Sequence, residues 1–140
     1  MAIGNIAGVE AAVKNITTES NQVVIGNNST TNAFIKVAWT TGSDARDKIC
    51  FNDINHGLNF VNQLKPVSFY FRECRESEIP YGSLRYGFKA QDVLELEGTS
   101  PVIVNNCDSD YLKLNETYLI PILVNAIKEL KAEIEILKNK

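Results

Sequence analysis

Apolar residues recur along this chain at three spacings, and each spacing predicts a different element. Ile120, Leu123, Ile127, Leu130, Ile134 and Leu137 advance by steps of 3, 4, 3, 4 and 3. That is a heptad seam with isoleucine at every a position and leucine at every d position, on a helix expected over about 116–139. Lys128, Glu129, Lys131, Glu135 and Lys138 fall outside the seam. A helix that only packs on its own domain carries a broader apolar stripe, so the narrow seam favours association with another copy. Glu133 then sits at g and Lys138 at the following e, where a parallel partner pairs them. Pro121 is compatible only with the first turn, or with a kink.

Further upstream the period changes. Val67, Phe69 and Phe71 alternate with Ser68, Tyr70 and Arg72, the pattern of a half-buried strand. Before it, Ile54, Leu58, Val61 and Leu64 follow helical spacing, with Asn52 or Asp53 as cap, Gly57 as a weak point and Pro66 as the stop. The charged stretch Glu73 to Gly82 reads as a loop and Arg85 to Phe88 as a short strand. Ala90 to Glu97 reads as a short helix ended by Gly98. Pro101 to Val104 and Tyr111 to Leu114 flank a wide polar loop, as in a hairpin. From Ser43 onward the fold class is therefore α+β, a small mixed domain with a long C-terminal helix.

Residues 1–42 differ. They are rich in Asn, Thr, Gly and Ala, and Gly26-Asn27-Asn28-Ser29 separates two apolar runs, Val23 to Ile25 and Phe34 to Trp39. Two strands fit. Such a segment carries too little apolar side chain for a core of its own. It can wind with copies of itself or form an ordinary hairpin on the rest of the domain.

Composition narrows the classes. At 140 residues the chain has room for one domain and an extension. Its net charge of −3 argues against a nucleic-acid binder or a surface that seeks anionic lipid. No apolar run approaches the ~20 residues that span a bilayer, and Met1 to Ala12 lacks the features of a signal peptide. The expectation is a soluble chain not secreted by the general route, so the acceptor patterns at Asn15, Asn28 and Asn115 carry no weight. Cys50, Cys74 and Cys107 are odd in number and widely spaced, and His56 is the only histidine. Reduced structural thiols are expected, with no metal site and no cofactor.

The candidate chemistry lies in Ser43-Asp44-Ala45-Arg46-Asp47-Lys48. A serine becomes a nucleophile when a neighbouring base takes its proton, and a neutral lysine is such a base. Taken alone the pair is a weak signal, but the residues after it form an ordered set. S-D-x-R-x-K is followed by Gly57-Leu58-Asn59-Phe60-Val61-Asn62-Gln63-Leu64-Lys65-Pro66-Val67, then Tyr86-Gly87-Phe88-Lys89-Ala90-Gln91-Asp92-Val93, then Tyr118-Leu119-Ile120-Pro121 and Ala126-Ile127-Lys128-Glu129-Leu130. From Ser43 to the C-terminus this set resembles the intramolecular chaperone, auto-processing domain (the S74 peptidase family) that ends phage tailspikes and tail fibres.

The resemblance implies a homotrimer, with residues 1–42 as the end of a trimeric β-stalk and 43–140 as the chaperone domain. It implies that the partners are further copies and the upstream fibre, with neither nucleic acid nor membrane involved. The parent would be a virion tail-fibre precursor assembled in the host cytoplasm, and a released domain would be absent from the mature virion. Ile at a with Leu at d favours two-stranded coils, whereas the resembled family is trimeric. Two and a half heptads are too few to set the state, and the resemblance decides for three.

It further implies that Ser43 and Lys48 form a self-cleaving site, with Asp44 and Arg46 in support. A free lysine has a pKa of about 10.4, so desolvation or a nearby cation, Arg46 being one candidate, must lower it far. Five residues apart, the two side chains point to opposite faces of a strand and lie about 140° apart on a helix. A bend over Asp44 to Asp47, or a neighbouring chain, must therefore join them. Asp44 and Arg46 suit a turn-stabilising ion pair, and His56 a surface or helix-capping role. Attack on the Gly42 carbonyl passes through a five-membered ring and breaks Gly42–Ser43, whereas cutting at Ser43–Asp44 needs another geometry or chain. Cleavage beside Ser43 is the expectation. The alternative is a structural trimerisation cap in which Ser43 and Lys48 are inert.

Overall fold

A computed structural model describes residues 1–4 and 20–140. The acceptor pattern at Asn15 and most of the segment Met1 to Ala12 lie outside the described residues. The chain forms two compact units, one of Met1–Asn32 with Leu64–Glu116 and one of Ala33–Gln63 with Thr117–Lys140.

In the first unit, β1 (Ala2–Ile3) and β2 (Val24–Ile25) pair in parallel. The pairing is held by Val24 N–H on the Met1 carbonyl and Gly26 N–H on the Ile3 carbonyl, at 3.0 and 2.9 Å. β3 (Val67–Phe71) and β4 (Tyr81–Gly87) form an antiparallel hairpin. The alternation of Val67, Phe69 and Phe71 thus gives the expected strand, while β4 begins earlier than the expected Arg85. Its register is irregular, because Phe69 faces Arg85 but Phe71 faces Tyr81, so β4 carries extra residues in a bulge.

α2 (Ala90–Glu97) has the expected bounds. Gly98 ends it at φ +72°, with its N–H on the Leu94 carbonyl, a conformation that glycine adopts at little cost. β5 (Val104–Asn105) and β6 (Lys113–Leu114) make a short antiparallel hairpin. The core of this unit is Val24, Val93, Ile103 and Val104. Glu97 organises its turn by accepting from the N–H groups of Val102, Ile103 and Val104 at 2.7–2.9 Å.

The second unit is a pair of packed helices, α1 (Leu58–Gln63) and α3 (Leu119–Lys138). Phe60 is buried with Leu119, Ile122 and Ala126, each large apolar side chain among them stabilising the unit by about 1.5–3 kcal/mol. Pro121 lies in the first turn of α3, where its missing N–H has no helical acceptor to lose. α1 is shorter than its spacing predicts. Residues 52–56 are irregular, because the cap comes from α3 and not from Asn52 or Asp53. The Glu129 carboxylate accepts from Leu58 N–H at 2.6 Å, and the Asn125 side chain donates to the carbonyls of Ile54 and His56. Gly57 is buried there, and a Cβ added to it would collide with the Glu129 carboxylate.

The run Phe34 to Trp39 is not a strand in the single chain. Phe34 is 92% and Trp39 74% exposed; a strand needs a partner for its backbone N–H and C=O groups, and among the described residues none is paired with it. Of the two strands that fit the runs Val23 to Ile25 and Phe34 to Trp39, only the first is present, as β2 paired with β1. The mixed helix-and-strand class and the long C-terminal helix are as expected.

Candidate active site

The segment that joins Ser43 to Lys48 is a single 3₁₀ turn, Ala45–Asp47. Asp44 precedes it in extended conformation and Lys48 follows it in the same region, with backbone bonds from Asp47 N–H to Asp44 C=O and from Lys48 N–H to Ala45 C=O. The turn bends the chain between the two side chains, with Ser43 one residue before its cap and Lys48 at its end. Lys48 Nζ donates to Ser43 Oγ at 2.7 Å. Of the two routes open to the sequence, a bend or a neighbouring chain, the structure contains the bend.

Asp44 and Arg46 hold that turn. Asp44 Oδ1 accepts from Arg46 N–H at 2.9 Å, while Arg46 Nε and Nη2 reach the carboxylate at 3.1 and 2.6 Å. The Arg46 guanidinium, and then its backbone N–H, hold the Asp44 carboxyl below the usual carboxylate range. Asp44 in turn raises Arg46. Arg46 is therefore neutralised by its partner and is not a bare cation directed at Lys48. Both members of the Ser43–Lys48 pair are exposed. Here the lysine donates the hydrogen bond, whereas general-base chemistry needs a neutral amine that accepts one from the hydroxyl. Gly42 stands in open space, with nothing near a Cβ added there.

The seam residues share this unit. Ile120, Leu123, Ile127, Leu130, Ile134 and Leu137 are all exposed. The face of α3 that packs on α1 is Leu119, Ile122 and Ala126, each one position earlier than a seam residue, or about 100° round the helix. Burial against α1 thus leaves the heptad stripe unused.

His56 is half-buried against the Phe60 ring, with centroids 4.4 Å apart. Cys50, Cys74 and Cys107 are free and exposed, so they are not packed as core thiols. Among the described residues no cluster could hold a metal ion, and no helix is long and apolar enough to cross a membrane. A cavity of about 220 Å³ in the first unit is lined in part by Ile25, Phe71, Tyr81 and Arg85 and contains no candidate site residue. The capping roles of Asn125 and Glu129 were not legible in the sequence, although Glu129 stands in the motif Ala126 to Leu130. Their one trace is their spacing, four apart and off the seam, and nothing in it points to a segment some seventy residues earlier.

Residues 43–101 match the family model Peptidase_S74, described as the chaperone of endosialidase. The match supports, over residues 43–101, the S74 resemblance that the ordered motifs carry. The match opens on Ser43 and takes in the turn, α1, the β3–β4 hairpin and α2. It stops before β5 and α3, so the motifs from Tyr118 onward lie beyond it. No curated protein and no solved structure matches the chain.

Proposed function

We propose that this chain is the C-terminal intramolecular chaperone of a phage tail fibre or tailspike, which assembles as a trimer and then cuts itself away beside Ser43. Three α3 helices associate through the seam, and the segment 1–42 belongs to the upstream stalk whose register they set. The parent is a virion precursor assembled in the host cytoplasm. The observation that carries the reading is the Ser43–Lys48 hydrogen bond at the first residues of the family match.

In the step favoured by ring size, a neutral Lys48 amine takes the Ser43 hydroxyl proton and Oγ attacks the Gly42 carbonyl carbon. The Gly42–Ser43 C–N bond breaks, the freed Ser43 amine takes the proton, and an ester links Gly42 to Oγ. Water then hydrolyses the ester, leaving a Gly42 carboxylate and restoring the Ser43 hydroxyl. No cofactor enters. Burial of Lys48 on assembly favours its neutral form, so cutting waits for correct folding.

Intact-mass measurement on freshly purified protein tests this. The parent gives two fragments joining at residue 42, 43 or 44, whereas Ser43→Ala, Lys48→Ala and Lys48→Arg chains assemble and stay whole. Guanidinium stays protonated at any usable pH, which is why arginine fails as a base. A parent that assembles and never cuts refutes autoprocessing and leaves a structural trimerisation cap.

A further inference from the structure

Five residues is an awkward separation for a catalytic pair, and two backbone bonds at 3.1 and 3.2 Å are little to hold an exposed turn together. Runs of 3₁₀ helix have poor hydrogen-bond geometry and little stability of their own. What closes this one is a side-chain clamp. The Asp44 carboxylate caps the turn through Arg46 N–H and is gripped at the same time by the Arg46 guanidinium. Both partners lie within the turn or at its edge, so the clamp needs nothing from the rest of the fold. Ser43 and Lys48 emerge from its two ends already in hydrogen-bond contact.

We propose that the Asp44–Arg46 ion pair is a positioning device that joins Ser43 to Lys48 within one chain before assembly, so that association supplies desolvation and not the juxtaposition. This rests on the reading of Ser43 and Lys48 as the self-cleaving pair. The dyad then works in cis, and neither Asp44 nor Arg46 touches the reacting atoms.

A test independent of cutting uses the full chain carrying Ser43→Cys, with Cys50, Cys74 and Cys107 changed to Ser, and Leu130→Asp to keep it unassembled. An adjacent lysine ammonium stabilises a thiolate, so the single introduced thiol, followed by its ultraviolet absorbance, titrates about 1 pH unit below the ordinary ~8.5. Lys48→Met returns the midpoint to the ordinary value. Asp44→Ala does the same although Lys48 is intact, and Asp44→Asn, which keeps an acceptor for Arg46 N–H, falls between. Thermal melts of these variants match the parent's, since the altered side chains are exposed.

The second arm co-expresses Ser43→Ala with Lys48→Ala chains. Mixed oligomers of a cis dyad do not cut, whereas a dyad shared between chains recovers activity. A thiol midpoint that ignores Lys48 or Asp44, or mixed oligomers that cut, overturns the proposal. A parent that never cuts while the midpoint responds to both residues sinks the autoprocessing reading and leaves the clamp standing.

Discussion

Placing a carboxylate at Leu130 separates the two apolar faces of α3. Leu130 is 42% exposed in the single chain and is not among the buried residues of α3. Fully burying a leucine is worth about 1.5–3 kcal/mol, so covering the remaining two-fifths in an assembly contributes about 0.6–1.2 kcal/mol per chain. Three chains meeting at one level give about 2–4 kcal/mol. Losing that alone weakens association of the proposed trimer roughly 30- to 1,000-fold, and three carboxylates brought together out of water add a further penalty. Leu130→Asp is therefore expected to sediment as a smaller species than the parent at micromolar concentration. Its circular dichroism and melting as an isolated chain should stay close to those of the unassembled parent. A mutant that keeps the parent's mass means that the seam is not the association surface. A parent that is monomeric at every concentration removes association through α3 altogether.

The opposite face gives the contrasting outcome. Ile122 is 4% exposed against α1, so Ile122→Ala destabilises the unit by about 2–5 kcal/mol, and a thermal melt shows the loss even at dilutions where the chain is not assembled. The clamp gives a pH prediction. Because the folded Asp44 carboxyl lies below its ordinary value, its contribution to the turn is present above the unfolded value of about 3.9 and disappears as pH falls through the folded one. Carboxyl-carbon NMR shifts should place the Asp44 midpoint below about 3.9 and that of an Arg46→Leu chain near it; equal midpoints would remove the ion pair from the argument.

How far the sequence could be read depends on how local each cause is. β3 and α2 were legible because alternation from Val67 to Phe71 and the glycine after Glu97 act within their own elements. The α1 start was not legible, since its cap is the Glu129 carboxylate from a helix far along the chain. Phe34 to Trp39 has strand composition, but a strand exists only where another pairs with it, and composition does not supply the pairing. The seam was easy to see and masked its neighbour. The weaker stripe Leu119, Ile122 and Ala126 is what packs within the unit. At the site, residue identities were legible and the join was not, because periodicity describes helices and strands, whereas the Ser43–Lys48 contact is made by one capped 3₁₀ turn.

That turn lies in a stretch of exposed apolar side chains. Trp39 precedes the pair, Ile49 and Phe51 follow it, and all three are largely in water. Isolated exposed apolar residues mean little, but several close in sequence to one polar pair offer apolar area for a partner to cover. The same unit carries the unused seam of α3, so on the proposed reading one event of association covers both. On that reading association covers the stretch that carries Lys48, and a desolvated lysine gives up its proton more easily. Geometry is then set early by Asp44 and Arg46, while reactivity comes late with burial. On the proposed reading, a chain that has not assembled already holds this pair of residues at 2.7 Å and stays intact until association takes water from its lysine.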